Sequence, residues 1–461
     1  MKLNRIRALL DWDPPFRRQF FNLAIPIIVQ SLVASSMHLL DNIMIGRVGE
    51  MEMAAVTQAN RLTFLLNLAL FGLTSGSAAF ASQAWGKRDV PRIQQTMGMA
   101  LCMSCLFLML FITLAIGFPH LVARAMLTDP AARESAVSYL RIIGVGYIFL
   151  ALSNILESFQ KSTEQTRVPM IAGVVAISIN TILNFLLIFG MFGFPKMGVR
   201  GAAIATVIAL AIECAINLIG GYAAHSVTAV RPRALIPNSW RFAWQYLQVV
   251  SVVILNEFMW SLGVTMFSVI YGRMGEQVVA AVGIASTFEQ FSVVALRAIT
   301  GACAVMVGGR VGAGEKSGAR ETSLRMIVAA IVIAIASGFI IIMVGNILMN
   351  FYNVSEATKA NARVIMITIA CFMPFNALAS ILIVGILRSG GDAAYSLLID
   401  TVPLWIIAVP LAAITGLVLH LPISFVIVCN QIETVIKVAL GFWRFQSGRW
   451  IHDLTQTPQI E

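Results

Sequence analysis

An aspartate set in an otherwise apolar run is the first residue here that could do chemistry. Asp41 occupies SSMHLLDNIMIGRVG, five residues before Gly46. An ionisable group at the bilayer centre costs roughly 2.5–3.5 kcal/mol on insertion scales, so a retained one is a functional candidate. A carboxylate in a cavity at that depth can take up and release a proton or Na⁺; near a helix end it would merely be interfacial. Asn180 and Asn184, in INTILNF, are four residues apart and share one helix face. Their amide oxygens can coordinate Na⁺ or bond a protonated acid; as structure alone they would be interhelical glue. Glu257, in LNEFMWSLG, is central in another apolar run, and Trp260 lies one turn further on, placed to stack on an aromatic cation. His38, one turn before Asp41, could relay a proton, although an isolated His is more often a packed polar group.

The remaining buried charges set the sign of the interior. Asp41, Glu213, Glu257, Glu289, Asp400 and Glu433 fall well within apolar runs, against only Arg61, Arg297 and Lys437. This acid excess favours cationic ligands over anionic ones. Asp400, six residues into its run, is a further candidate for substrate binding. Lys437 follows Glu433 by four residues and Arg297 lies two turns from Glu289, so these read mainly as structural neutralisation.

The elements that must position these residues are transmembrane helices. Hydrophobic residues make up 58% of the 461 and charged residues 12%, against roughly 45–50% and 25% in a soluble domain. The mean hydropathy is +0.84. Such a chain has too little polar surface to cover itself in water. A helix needs about 20 largely apolar residues to cross a bilayer. Twelve runs qualify, near 19–45, 53–83, 93–118, 134–160, 168–192, 199–222, 243–271, 278–308, 322–350, 358–387, 394–416 and 421–445. Long apolar runs, rather than weak ten-residue alternation, exclude a membrane β-barrel. The net charge of +10 does not point to nucleic acid, because the bases gather on alternate loops. Lys87/Arg88/Arg92, Arg231/Arg233/Arg241 and Arg310/Lys316/Arg320/Arg325 mark the inner face, with both termini inside. MKLNRIRALLDWDPPFRR lacks the apolar core of a cleavable signal peptide. The six cysteines all lie in spans, so no disulfide framework and no metal-ligand spacing is expected.

The chain also repeats itself. IGRVGEMEMAAV at 45–56 matches YGRMGEQVVAAV at 271–282 without a gap, and at the same offset of 226 Gly86 falls on Gly312. AIECAIN at 211–217 aligns with QIETVIK at 431–437. Six spans precede the repeat, so both copies enter the membrane in the same direction: a parallel repeat, with the transport site between its halves. The expected architecture is an all-α membrane protein of two six-helix lobes, residues 1–222 and 242–461, joined by an inner linker at 223–241. Glu257 has Ser31 as its repeat partner, so it serves one half only.

Twelve spans in two halves, with DNIMIGRVGE closing the first, resemble the multidrug and toxic compound extrusion (MATE) family over essentially the whole chain. Pro26, AWGK after span 2, GVRGAAIAT opening span 6, LRSGGD after span 10 and RFQSGRW after span 12 carry the likeness. The resemblance implies a secondary antiporter of a prokaryotic inner membrane. It would export amphipathic, often cationic compounds in exchange for H⁺ or Na⁺, as a monomer with no cofactor beyond the coupling ion. It places the cation site, and any Na⁺, on Asp41, with Asn180 beside it. Some members carry an Asp where this chain has Asn184. An acid pair of spans 7 and 10 in one branch is not matched either, since Glu257 sits a turn earlier and span 10 offers only Asn376.

The main alternative is a flippase of the same superfamily moving a lipid-linked oligosaccharide, but its pyrophosphate would need a basic cavity. A channel or receptor does not explain the duplication with an asymmetric acid. GGRVGAGEKSG at 308–318 resembles a phosphate-cradling loop, yet Glu315 separates Gly314 from Lys316 and an apolar helix precedes it. No nucleophile–base pair marks an enzyme.

Overall fold

The computed structural model describes residues 12–456 except 225 and 350–353, without the side chains of 37–40, 42–43, 291–292, 346 and 348. His38 therefore lies outside the described side chains. Twelve helices are long and apolar enough to cross a membrane, and the described residues contain no strand. Their α-helical parts are α1 Pro14–Gly46, α2 Glu50–Gly86, α3 Val90–Ile112, α4 Pro130–Ser162, α5 Arg167–Phe189 and α6 Val199–Ala223. After the linker come α7 Trp240–Met274, α8 Glu276–Gly312, α9 Lys316–Leu348, α10 Glu356–Ser380, α11 Ala393–Pro403 and α12 Ile423–Ser447. The chain is a multi-pass membrane protein. Its helices expose large side chains such as Phe64, Met109 and Phe339, a surface that only hydrocarbon solvates at no cost.

Local chemistry sets the ends. Asp89 accepts from the Arg92 N–H at 3.1 Å to open α3, and Asp129 accepts from the Ala131 N–H at 3.1 Å to open α4, each with Pro in the first turn. Ser355 caps α10 through the Thr358 N–H at 3.2 Å. Three spans do not run as plain α-helix, and α3 is one of them, continuing as a π-helical stretch, Thr113–Gly117. α10 continues as a π-helical stretch, Ile381–Arg388. After Pro403, α11 continues through π turns at Leu404–Ala408 and Ile414–Val418. Proline removes an intrahelical bond, and a π turn accommodates an extra residue, a feature frequent at functional sites.

The chain forms two compact units. One comprises Met1–Ile28 as far as described, Ser82–Arg88 and Ser251–Glu461; the other comprises Val29–Ala81 and Asp89–Val250. In the first, the C-terminal end of α2 crosses the C-terminal end of α8 backbone to backbone. A Cβ added at Gly86 would lie 1.9 Å from the Gly309 carbonyl oxygen, and one at Gly312 would lie 1.9 Å from that of Gln83. Since 83 and 309, like 86 and 312, differ by the repeat offset, the crossing is symmetric about the duplication. Gly86→Val is expected to lower the melting temperature of purified protein, overpacking costing about 1–3 kcal/mol. An unchanged melt would show that the crossing opens freely.

The two motifs that end α10 and α12 meet in this unit. Trp450, fully buried, stacks on Phe445 with ring centroids 5.7 Å apart. A Cβ at Gly390 would be 2.4 Å from the Trp450 ring, and Gly391 turns with φ +96° beneath His452. Arg444 Nε donates to Asp392 Oδ2 at 2.7 Å. The buried Gln83 amide donates to the Ser389 and His452 carbonyls at 2.9 and 3.1 Å and accepts from the Leu454 N–H at 2.8 Å. Lys87 pairs with Asp453 at 2.7 Å. Burial acts to raise the Asp453 carboxyl, but bonds from Lys87 and Thr455 hold it below the usual carboxylate range.

In the second unit, α4 and α5 both pack along α6. The linker is seated there too. A Cβ at Gly98 would be 1.9 Å from the Leu235 carbonyl oxygen, and the Arg92 guanidinium lies 3.7 Å over the Phe242 ring.

Candidate functional site

In the second unit α1 brings Asp41 against the polar face of α5. Asn184 Nδ2 donates to Asp41 Oδ1 at 2.6 Å and to Asn180 Oδ1 at 2.8 Å. Asn180 Nδ2 lies 3.3 Å from the Thr206 hydroxyl on α6. With the Asn180 amide turned over, its nitrogen donates to Asp41 Oδ1 at 3.3 Å, and its oxygen accepts from the Thr206 hydroxyl and N–H, both at 3.3 Å. Asn180 and Asn184 are buried, and among the described residues no donor reaches Asn184 Oδ1. Tyr139 on α4 is close enough to Asp41 to interact electrostatically, and its hydroxyl donates to Asn60 Oδ1 of α2 at 3.0 Å.

The three residues read from sequence are therefore one constellation, as the four-residue spacing of the amides requires. Thr206, Tyr139 and Asn60 were not among them. Thr206 ends GVRGAAIAT, so its signal lay in a stretch already singled out; nothing in the pattern around Tyr139 or Asn60 marks them. Chemically the site offers one carboxylate among neutral oxygens, any of which can face a small cation, and two amides able to present either oxygen or N–H to the acid.

The first unit holds a second polar cluster. Glu257 and Asp400, singled out separately as substrate-binding candidates, are both in it, and each is bonded to a base. Arg388 Nη1 pairs with Glu257 Oε1 at 2.9 Å, and the arginine is only 2% exposed. Lys437 Nζ lies 2.8 Å from Asp400 Oδ1 and 3.3 Å from Glu433 Oε1. Asn256 Nδ2 donates to Asp400 Oδ2 at 3.1 Å, and the Thr401 hydroxyl donates to Asn256 Oδ1 at 3.4 Å. The acid excess inferred from sequence is thereby reduced, because Arg388, which reads as an inner-loop base, is a buried counter-charge. Trp260 stands apart from the ion pairs, 40% exposed. Asn376 bonds Gln431 at 3.2 Å and Thr434 at 3.1 Å. Glu289 has Arg297 within electrostatic reach, as its spacing suggested.

The sequence matches the MatE family over residues 26–186 and 252–414. It is 22% identical over 450 residues to a probable multidrug resistance protein NorM of Thermotoga maritima, covering 95% of this chain and 94% of that one. It is 25% identical over 425 residues to the multidrug resistance protein PmpM of Pseudomonas aeruginosa, covering 90% and 85%. Among solved structures, an outward-facing multidrug resistance MATE transporter superposes with a TM-score of 0.83 at 19% identity, covering 96% of this chain and 98% of that one. A MOP superfamily transporter from Pyrococcus furiosus superposes with a TM-score of 0.84 at 18% identity and the same coverage.

Proposed function

The chain belongs to the MatE family and is a transporter, not an enzyme; from that premise we propose that it is a secondary antiporter coupled to protons through Asp41. The observation that carries this reading is the 2.6 Å contact between Asp41 Oδ1 and the Asn184 amide. With Asp41 ionised, the Asn184 N–H donates to it. With Asp41 protonated, turning both amides over reverses the donors. The Asp41 O–H then donates to Asn184 Oδ1, Asn180 Nδ2 donates to the same oxygen, and Asn180 Oδ1 accepts from Thr206. The proton is accommodated without moving a helix, while Tyr139 and Asn60 line the adjoining wall. A Na⁺ site at Asp41 would have a single carboxylate to hold the ion, because Asn184 replaces the acid that would best assist it; this supports the proton.

The exported compounds are amphipathic organic cations. Trp260 offers its ring to a flat apolar body, and Glu257 and Asp400 supply a negative field tempered by Arg388 and Lys437. The names of the relatives as multidrug resistance proteins support drug efflux. The protein works as a monomer in a prokaryotic inner membrane with both termini inside. A cysteine introduced as Ser239→Cys should accordingly be labelled by an impermeant reagent only from the inner side. Labelling in intact cells would overturn that orientation.

The direct test is ethidium efflux from vesicles in which pH and Na⁺ gradients are imposed separately. Efflux driven by a pH gradient without Na⁺ is expected. Efflux that requires Na⁺ and ignores pH would remove the proton assignment and leave an Na⁺-coupled antiporter.

A further inference from the structure

The charges of the polar cluster in the first unit do not balance. Three carboxylates, Glu257, Asp400 and Glu433, face two bases, Arg388 and Lys437. Arg388 lies against Glu257. Lys437 is nearer to Asp400, at 2.8 Å, than to Glu433, at 3.3 Å, and Asn256 occupies the other oxygen of Asp400. The uncompensated charge thus falls on Glu433. That residue is only 8% exposed, and among the described residues no donor reaches its Oε2. A buried carboxylate that shares its base with a second acid and has one oxygen without a donor is a state that low-dielectric surroundings disfavour.

A proton or a small cation could supply the missing positive charge. A metal ion at Oε2 would share Glu433 with the Lys437 ammonium, which repels it, and both Asp400 oxygens are already bonded. A proton needs only the one open oxygen and leaves both Lys437 contacts in place. The first repeat carries the same imbalance. Glu213 occupies the aligned position, within electrostatic reach of Glu157 and Lys161, again two acids and one base. An excess acid at this register is therefore a property of both copies.

We propose that Glu433 is a second proton-binding residue of this transporter, carrying on its Oε2 the one proton that the Glu257–Arg388–Asp400–Lys437 cluster lacks. The charged groups that act directly on it are Lys437 on its own helix and Asp400 on α11, with Arg388 and Glu257 behind them. The proposal extends the proton-coupled reading but does not stand on Asp41, which lies in the other unit.

Infrared difference spectra of the purified protein between neutral and alkaline pH test it through the C=O stretch of protonated carboxyls. Protein labelled with ¹³C-carboxyl glutamate should show a glutamic acid band shifted by the isotope. Glu433→Gln should lose the Glu433 part of that band, whatever Glu213 contributes, Glu433→Asp should replace that part with an unshifted aspartic acid band, and Asp41→Asn should retain the whole band. A labelled band unchanged in Glu433→Gln overturns the proposal, as does the absence of any glutamic acid band in wild type, a result that needs no variant to fold. Loss of the wild-type band on adding Na⁺ at fixed pH would mean that a metal ion, not a proton, occupies the site. Loss of dye efflux in Asp41→Asn with the Glu433 band intact would leave both readings standing separately.

Discussion

Asp41→Asn is expected to insert and fold normally while the gradient of a neutral drug that it can sustain collapses by roughly a hundredfold or more. The substitution keeps the shape of the side chain. Its amide oxygen can accept the Asn184 N–H that Asp41 Oδ1 accepts at 2.6 Å, so packing between α1 and α5 survives. The exchangeable proton does not. One elementary charge crossing the membrane yields about 2.3 kcal/mol per 100 mV, hence ~3.5 kcal/mol at ~150 mV. Each 1.36 kcal/mol is tenfold, so one inward proton supports a gradient of roughly a few hundredfold for a neutral compound. A monocation exchanged for one proton moves no net charge, and the pH difference alone must then drive it. In either case removing the titrating group of Asp41 removes the drive coupled through it. Accumulation ratios in vesicles at matched expression measure this, and a wild-type ratio in Asp41→Asn would show that Asp41 is not the coupling group.

The parts of the molecule that obey a local period were legible in the sequence. Apolar run length gave the twelve spans, and the 226-residue offset paired Gly86 with Gly312, which are the two residues at the symmetric crossing of α2 and α8. Asp41, Asn180 and Asn184 were legible because a polar residue in hydrocarbon stands out and a four-residue spacing fixes a common face. Arg388 was not. A base at the end of an apolar run reads as an inner-loop residue under the positive-inside pattern. Here the π-helical stretch Ile381–Arg388 extends α10, and the partner is Glu257, 131 positions away. A partner at that separation leaves no periodic trace.

The Arg388–Glu257 pair gives the largest stability effect. Arg388→Met strips the counter-charge from a carboxylate that is 8% exposed, and breaking a buried pair from one side typically costs about 3–5 kcal/mol. A large drop in melting temperature is expected. Glu257→Met alone should be damaging for the same reason, because it leaves the guanidinium uncompensated at 2% exposure. The double variant Arg388→Met/Glu257→Met removes both charges, and apolar replacements of buried pairs are often neutral or stabilising, so it should recover most of the loss. The cycle also separates two roles for Glu257. If the carboxylate only balances Arg388, the double variant should export cationic and neutral dyes as wild type does. If Glu257 also supplies the negative field for organic cations, the double variant should be stable yet selectively weaker toward cationic dyes, while Arg388→Met, where it folds, should bind them more tightly because the tethered cation no longer competes. Equal dye affinities in wild type and both variants would confine Glu257 to packing and leave Trp260 as the substrate contact on α7.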